Sequence, residues 1–226
     1  MRRRVVITGM GAITPLGHSV SATYQNQLAG RSGVTPIRRF DAGRFPTSFA
    51  AQVLGFELGE WVDRPERFKG CGLNTAFALA AARQAIDDAG LQTGAPVDRA
   101  RIGVYLGAGE GTQDFHHLMW CLRLSHDPAT GKLDMPAFCR GGLALYDPAT
   151  EAEQELHTTA AHIAREFELE GPNYTCLTAC AASSQAIGEA AEQIRHGDAD
   201  VVVSGGSHSM IHPMGVTGFN RLTALS

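Results

Sequence analysis

The chain has 226 residues, of which 44% are hydrophobic and 19% charged, and its net charge is −4. That length is enough to bury one sizeable core, and its 26 glycines and 7% aromatic content fit an ordered, turn-rich α/β protein better than a disordered or fibrous chain. The acidic balance lacks the basic footprint of a dedicated nucleic-acid binder, while local basic patches remain available to an acidic protein partner.

Arg4-Val5-Val6-Ile7-Thr8-Gly9 is a β-branched run closed by glycine, and it reads as a buried strand. The arginines at 2–4 could open a secretory leader, but a glycine-broken strand follows them and not a continuous apolar segment. No stretch approaches the ~20 apolar residues of a membrane helix, so the expectation is a soluble cytoplasmic protein. A modest helix is predicted over 19–28, then an irregular stretch over 31–69. Residues 72–89 form the clearest helix: Ala76, Phe77, Ala80, Ala81 and Ile86 leave it few polar positions, and Gly90 stops it.

Ile102–Leu106 reads as a second buried strand, closed by Gly107 and Gly109. Residues 112–149 are mixed and turn-rich, with Asp-Pro steps at 127–128 and 147–148. Thr150 and Glu153 have capping-box spacing and predict one long helix, with Leu156, Ala160, Ile163 and Phe167 on a single apolar stripe. Gly171-Pro172 ends it. A strand over 173–177, a helix over 181–196, Gly197 as its stop and a strand over 200–204 complete the pattern. Strands alternating with long helices predict a four-stranded, largely parallel sheet covered on both faces. Such a sheet is a thin basis for an independent domain, and no closing element follows it, so an incomplete α/β domain is expected.

Several motifs give weak signals. Gly9-Met10-Gly11 invites a dinucleotide-binding reading, but Thr14 stands where the third glycine belongs. The nine histidines include no H-E-x-x-H pair, and a metal site is not expected. Gly205-Gly206-Ser207-His208-Ser209 lacks the spacing of a hydrolase elbow. The five cysteines (71, 121, 139, 176 and 180) are odd in number and form no C-x-x-C pair, so reduced thiols are expected.

Residues 173–197 carry the strongest chemical signal. A short strand runs into Thr178-Ala179-Cys180, and a helix rich in alanine, serine and glycine starts at once, which predicts a central, buried helix. Cys180 then stands at a helix N-terminus, where free N–H groups and the positive dipole end favour a thiolate. The same N–H groups suit an oxyanion on an attacked thioester. The residues alone leave both a nucleophile and an inert buried thiol open. Cys176, within the strand, reads as structural.

Val5-Val6-Ile7-Thr8-Gly9-Met10-Gly11 with Thr14-Pro15-Leu16-Gly17 resembles the opening of the elongating β-ketoacyl-acyl carrier protein synthases. Ala85–Leu91, Arg101-Ile102-Gly103, Gly171-Pro172, Thr178-Ala179-Cys180-Ala181, Gly197-Asp198-Ala199-Asp200 and Ser204-Gly205-Gly206 follow in that family's order and spacing. The resemblance runs from residue 5 to residue 226 and is weakest over 31–70 and 112–155. It implies the N-terminal half of a thiolase-like fold as one domain over 1–226, with an irregular excursion at about 112–150, in a homodimer. It also implies that Cys180 accepts an acyl chain from acyl carrier protein, with its own backbone N–H in the oxyanion hole. Decarboxylative condensation with malonyl-carrier protein then extends the chain for fatty acid or polyketide synthesis. Phe219 matches a residue lining the acyl pocket.

The resemblance implies no separate cofactor, because the substrate rides on the carrier's phosphopantetheine. Glu110 stands where long-chain enzymes carry an apolar residue, which points to short, polar or polyketide-like substrates, since a carboxylate beside an alkyl chain is costly. No histidine lies in the family's H-G-T-G-T or G-H-x-x-G-A motifs. Arg64, Arg67 and Lys69 are candidates by position for docking the acidic carrier, a solvated loop being the other reading. The rival to the enzyme is a split or decayed ketosynthase half that only dimerises or holds carrier protein.

Overall fold

The computed structural model describes residues 3–91, 97–109, 111 and 114–225. Helix α1, Val20–Leu28, starts at Ser19, whose side chain accepts from the Ala22 N–H. Strands β1 (Val34–Pro36) and β2 (Phe49–Ala51) form a small antiparallel pair inside the stretch read as irregular. Gln52 ties them together, donating to Thr35 and to the Pro36 carbonyl. Helix α2, Leu73–Asp88, fulfils the expectation of a buried helix, and Leu79 and Ala80 are wholly inaccessible.

Strand β3 (Ile102–Gly107) is followed by helices α3 (Phe115–Ser125), α4 (Met135–Leu145) and α5 (Pro148–Ala152). Each of the three is capped by the aspartate before it: Asp114, Asp134 and Asp147. Such caps satisfy orphan N–H groups at a helix start. The two Asp-Pro steps therefore differ. Asp147-Pro148 opens α5, whereas Asp127 accepts from Ala129 and Thr130 in a tight turn.

The long helix predicted from Thr150 is broken into α5 and α6 (Thr158–Glu166). Asp147 takes both the N–H and the hydroxyl of Thr150. The Glu153 carboxylate pairs with His162 at 2.9 Å and does not cap. Ala160, Ile163 and Phe167 still enter the core as the stripe predicted.

Strand β4 (Asn173–Cys176), helix α7 (Ala182–His196), strand β5 (Val201–Gly206) and helix α8 (Pro213–Arg221) complete the order. The sheet is parallel with order β4-β3-β5, and Gly107 is in register with both Cys176 and Gly206. The main core lies on one face, where Leu79 and Ile86 of α2 and Ile163 of α6 meet Val104 and Leu106 of β3. Helix α7 covers the other face.

Two expectations need correction. The segment from Arg4 to Gly9 forms no ladder with the sheet, which has three strands among the described residues and not four. Val6 and Ile7 are 62% and 78% exposed where a buried strand was expected. Helix α7 is buried only along Ala182, Ala186 and Ala190, one face at four-residue spacing, and Ile187 on its other side is open to solvent.

Candidate active site

The C-terminal ends of β4, β3 and β5 converge on the start of α7, the edge at which parallel α/β sheets present their sites. A Cβ on Gly107 would lie 2.3 Å from the Ala182 carbonyl carbon, and one on Gly206 would lie 2.8 Å from the Ser183 Cβ. Only glycine permits the helix to start this close to the sheet. The Cys176 thiol donates to the Ala182 carbonyl oxygen at 3.3 Å, which occupies that sulfur in fastening β4 to α7.

Cys180 lies in the 3₁₀ turn Ala179–Ala181 that leads straight into α7, and it is exposed. Ala179, the residue before it, has φ +48°. The left-handed region is strained for a side chain with a Cβ. Ala179 falls between the end of β4 and the start of α7, immediately before the exposed Cys180. The chain then enters helical geometry, which places Cys180 two residues before the start of a 15-residue helix, the end at which N–H groups are free. Exposure alone does not single it out, because Cys139 is exposed too. Cys121 is buried, and burial pushes the Cys71 thiol up to about 11, helped by the nearby Glu153 carboxylate.

The remaining candidates are dispersed. Phe219 lies on α8 at 38% exposure. Glu110 lies outside the described residues. Arg64, Arg67 and Lys69 surround the short 3₁₀ turn Pro65–Phe68, anchored by Phe68, which is buried at 4%. All three cations are exposed, and Asp63 and Glu66 are interleaved with them. The patch is thus only weakly basic.

Two contacts at this edge carried little signal in the sequence. His208, after β5, closes on Gly109 so tightly that a Cβ there would lie 2.5 Å from Nε2. The Ser207 hydroxyl donates to the Asn74 carbonyl at 2.7 Å, holding the same loop against the start of α2. Glycines at strand ends hinted at the first contact, and nothing marked the second. Among the described residues no group of three or more His, Cys, Asp or Glu side chains is placed to hold a metal. None of their helices is long and apolar enough to cross a membrane.

The arrangement defines a class: a parallel α/β protein presenting a cysteine where a strand turns into a helix. Residues 2–226 match the family model "Beta-ketoacyl synthase, N-terminal domain", and the chain belongs to that family of elongating, thiolase-like ketosynthases. It is 36% identical over 228 residues to 3-oxoacyl-[acyl-carrier-protein] synthase 2 of Coxiella burnetii, covering 100% of this chain and 50% of that protein. Among solved structures, the ishigamide ketosynthase/chain length factor superposes with a TM-score of 0.78 at 31% identity, over 100% of this chain and 52% of its own. AntDE:AntF, a type II acyl-carrier protein in complex with its ketosynthase, superposes with a TM-score of 0.68 at 25% identity, over 100% of this chain and 50% of its own. The chain therefore spans about half the length of the curated relatives it matches.

Proposed function

We propose that this chain supplies the acyl-accepting part of a β-ketoacyl-acyl carrier protein synthase, with Cys180 as the nucleophile. The observation that carries this reading is the placement of Cys180: exposed, and at the head of α7 where the parallel strands end. In the first step the Cys180 sulfur attacks the thioester carbonyl of an acyl carrier protein. The backbone N–H groups at the start of α7 receive the developing oxyanion, and the carrier's phosphopantetheine thiolate leaves and is protonated. In the second step a malonyl-carrier protein loses carbon dioxide, and its carbanion attacks the Cys180 thioester. The new carbon–carbon bond lengthens the acyl chain by two carbons and releases the Cys180 thiolate.

No residue of this chain is assigned to the decarboxylation, since none of its histidines lies in the motifs that serve it in the family. Phe219 is proposed to line the acyl channel. Arg64, Arg67 and Lys69 are proposed to meet the carrier, and Phe68 gives that turn a fixed base on the core.

The condensation is tested with a chimera in which this chain replaces the matched half of the Coxiella burnetii synthase. Supplied with acyl- and malonyl-carrier proteins, it should form a 3-oxoacyl product, and Cys180→Ala should form none. Equal product from Cys180→Ala would reject the assignment.

A further inference from the structure

The loop that joins β1 to β2, residues 37–48, contains Arg38, Arg39 and Arg44 against a single acid, Asp41. Its ends are tied by a backbone hydrogen bond from the Ile37 N–H to the Ser48 carbonyl at 2.9 Å. Within it the Phe40 and Phe45 rings meet edge to face with centroids 5.1 Å apart, and Ala42 and Thr47 are buried. The buried Gln52 side chain accepts from the Arg38 N–H at 3.0 Å. A loop whose ends meet and whose own side chains pack it holds its arginines on an ordered support.

The Thr47 hydroxyl donates to the Asn220 side-chain oxygen at 2.9 Å, which fastens the loop to the end of α8. Phe219 precedes Asn220, Arg221 follows it, and α8 contains no acidic residue. Arg38, Arg39, Arg44 and Arg221 are all exposed. Among the described residues, none of their guanidinium groups pairs with a carboxylate. Asp41, within the loop, accepts from the Gly43 N–H. Partial desolvation draws the Arg39 pKa below its ordinary value, with no carboxylate to counter it. Arginine stays charged even so, and an anionic partner relieves that cost. The loop and Arg221 together carry three net positive charges on a chain whose net charge is −4. At residues 63–69, three cations against two acids leave one.

We propose that loop 37–48 and Arg221 form a docking surface for the acidic face of the acyl carrier protein, contributing more to that contact than the turn at 64–69. The inference rests on the ketosynthase reading and locates its partner. Arginines without internal partners are complementary to clustered carboxylates. A carrier held there delivers its acyl arm to the helix that bears Phe219, the residue proposed to line the acyl channel. Phosphates of a membrane surface would meet the same charges but bring no thioester to that helix.

The test uses the chimera with the Coxiella burnetii synthase. Its Cys180 is acylated either by an acyl-carrier protein or by a carrier-free thioester, acyl-N-acetylcysteamine. Arg38→Glu, Arg39→Glu and Arg44→Glu together should raise the half-saturating concentration of acyl-carrier protein by about tenfold or more. Acylation by acyl-N-acetylcysteamine, which has no protein to dock, should keep its wild-type rate. The same triple variant should flatten the dependence on sodium chloride, because salt screens the attraction between the two surfaces. Arg64→Glu, Arg67→Glu and Lys69→Glu together should raise the half-saturating concentration less.

A larger rise from the 64–69 variant than from the loop variant would overturn the proposal, as would a loop variant within about threefold of wild type. So would an equal loss with both donors, which would make the loop a structural support alone. Tighter binding of the wild-type arginines to phosphatidylglycerol vesicles than to the carrier, lost in the triple variant, would assign the surface to lipid instead. A wild-type chimera acylated by neither donor rejects the ketosynthase reading. One acylated by both, with a triple variant indistinguishable from it, rejects the docking surface alone.

Discussion

At the scale of single residues, small side chains set the geometry of the thiol. Gly107 and Gly206 bring the start of α7 against the sheet, and Cys180 follows from that approach. Gly107→Ala should destabilise the chain by about 1–3 kcal/mol, the usual cost of forcing a group into packed backbone, and should slow acylation by shifting the helix head. Gly188→Ala, in the same helix with nothing within 4 Å of its added Cβ, should instead stabilise by about 0.5–1 kcal/mol. Urea melts of the two variants check both signs. Cys180 was legible because a strand, a cysteine and a run of small helix formers stand in immediate succession. The left-handed Ala179 was not, since alanine carries no mark of positive φ. The two nearby cysteines differ in setting: Cys176 is engaged with the Ala182 carbonyl, whereas Cys180 is exposed.

At the scale of elements, one charged cluster ties three ends together. The Arg101 guanidinium donates to the Gly197 carbonyl at 2.7 Å and to both Asp200 oxygens, joining the start of β3 to the end of α7 and the approach to β5. The hydrogen bond from Arg101 holds the Asp200 carboxyl below the usual carboxylate range, reinforced by the charges of Arg101 and Arg3. A depressed carboxylate pKa contributes stability above the unfolded value, about 3.9. That contribution is lost as pH falls through the folded value. Between pH 5 and pH 2 the wild-type melting temperature should therefore fall more steeply than that of Asp200→Asn, and parallel curves would show that the cluster contributes nothing. Helices α2 and α7 were legible from their small and apolar residues and their glycine stops. The division of α5 from α6 was not, because Thr150 and Glu153 have capping-box spacing while Asp147 and His162 take their side chains. Local spacing is overruled here by partners before and after it in the chain.

At the scale of the whole molecule, the chain exposes 13622 Å², where a compact protein of this mass exposes about 10,000 Å². Exposed apolar groups recur on separate elements: Ile7 beside the sheet, Trp120 and Leu143 on the α3–α4 pair, and Ile187 on α7. Where such groups join into patches they mark interaction sites or drive aggregation. The chain expressed alone should bind a hydrophobic dye and self-associate, as light scattering would show. A monomeric, dye-free species with a cooperative melt would contradict this. The parallel sheet was legible from alternating strands and helices, but its strand count was not. A β-branched run announces a strand without saying which edge it needs, and for residues 4–9 that edge is not supplied by the described residues.

Acyl transfer here turns on one sulfur atom, and mass spectrometry of the protein incubated with an acyl-carrier protein thioester addresses it directly. A single acyl adduct is expected that maps by peptide digestion to Cys180, disappears in Cys180→Ala and persists in Cys176→Ala. An adduct on Cys139 or Cys176 in its place, or no adduct from either the chain or the chimera, would contradict the role of Cys180.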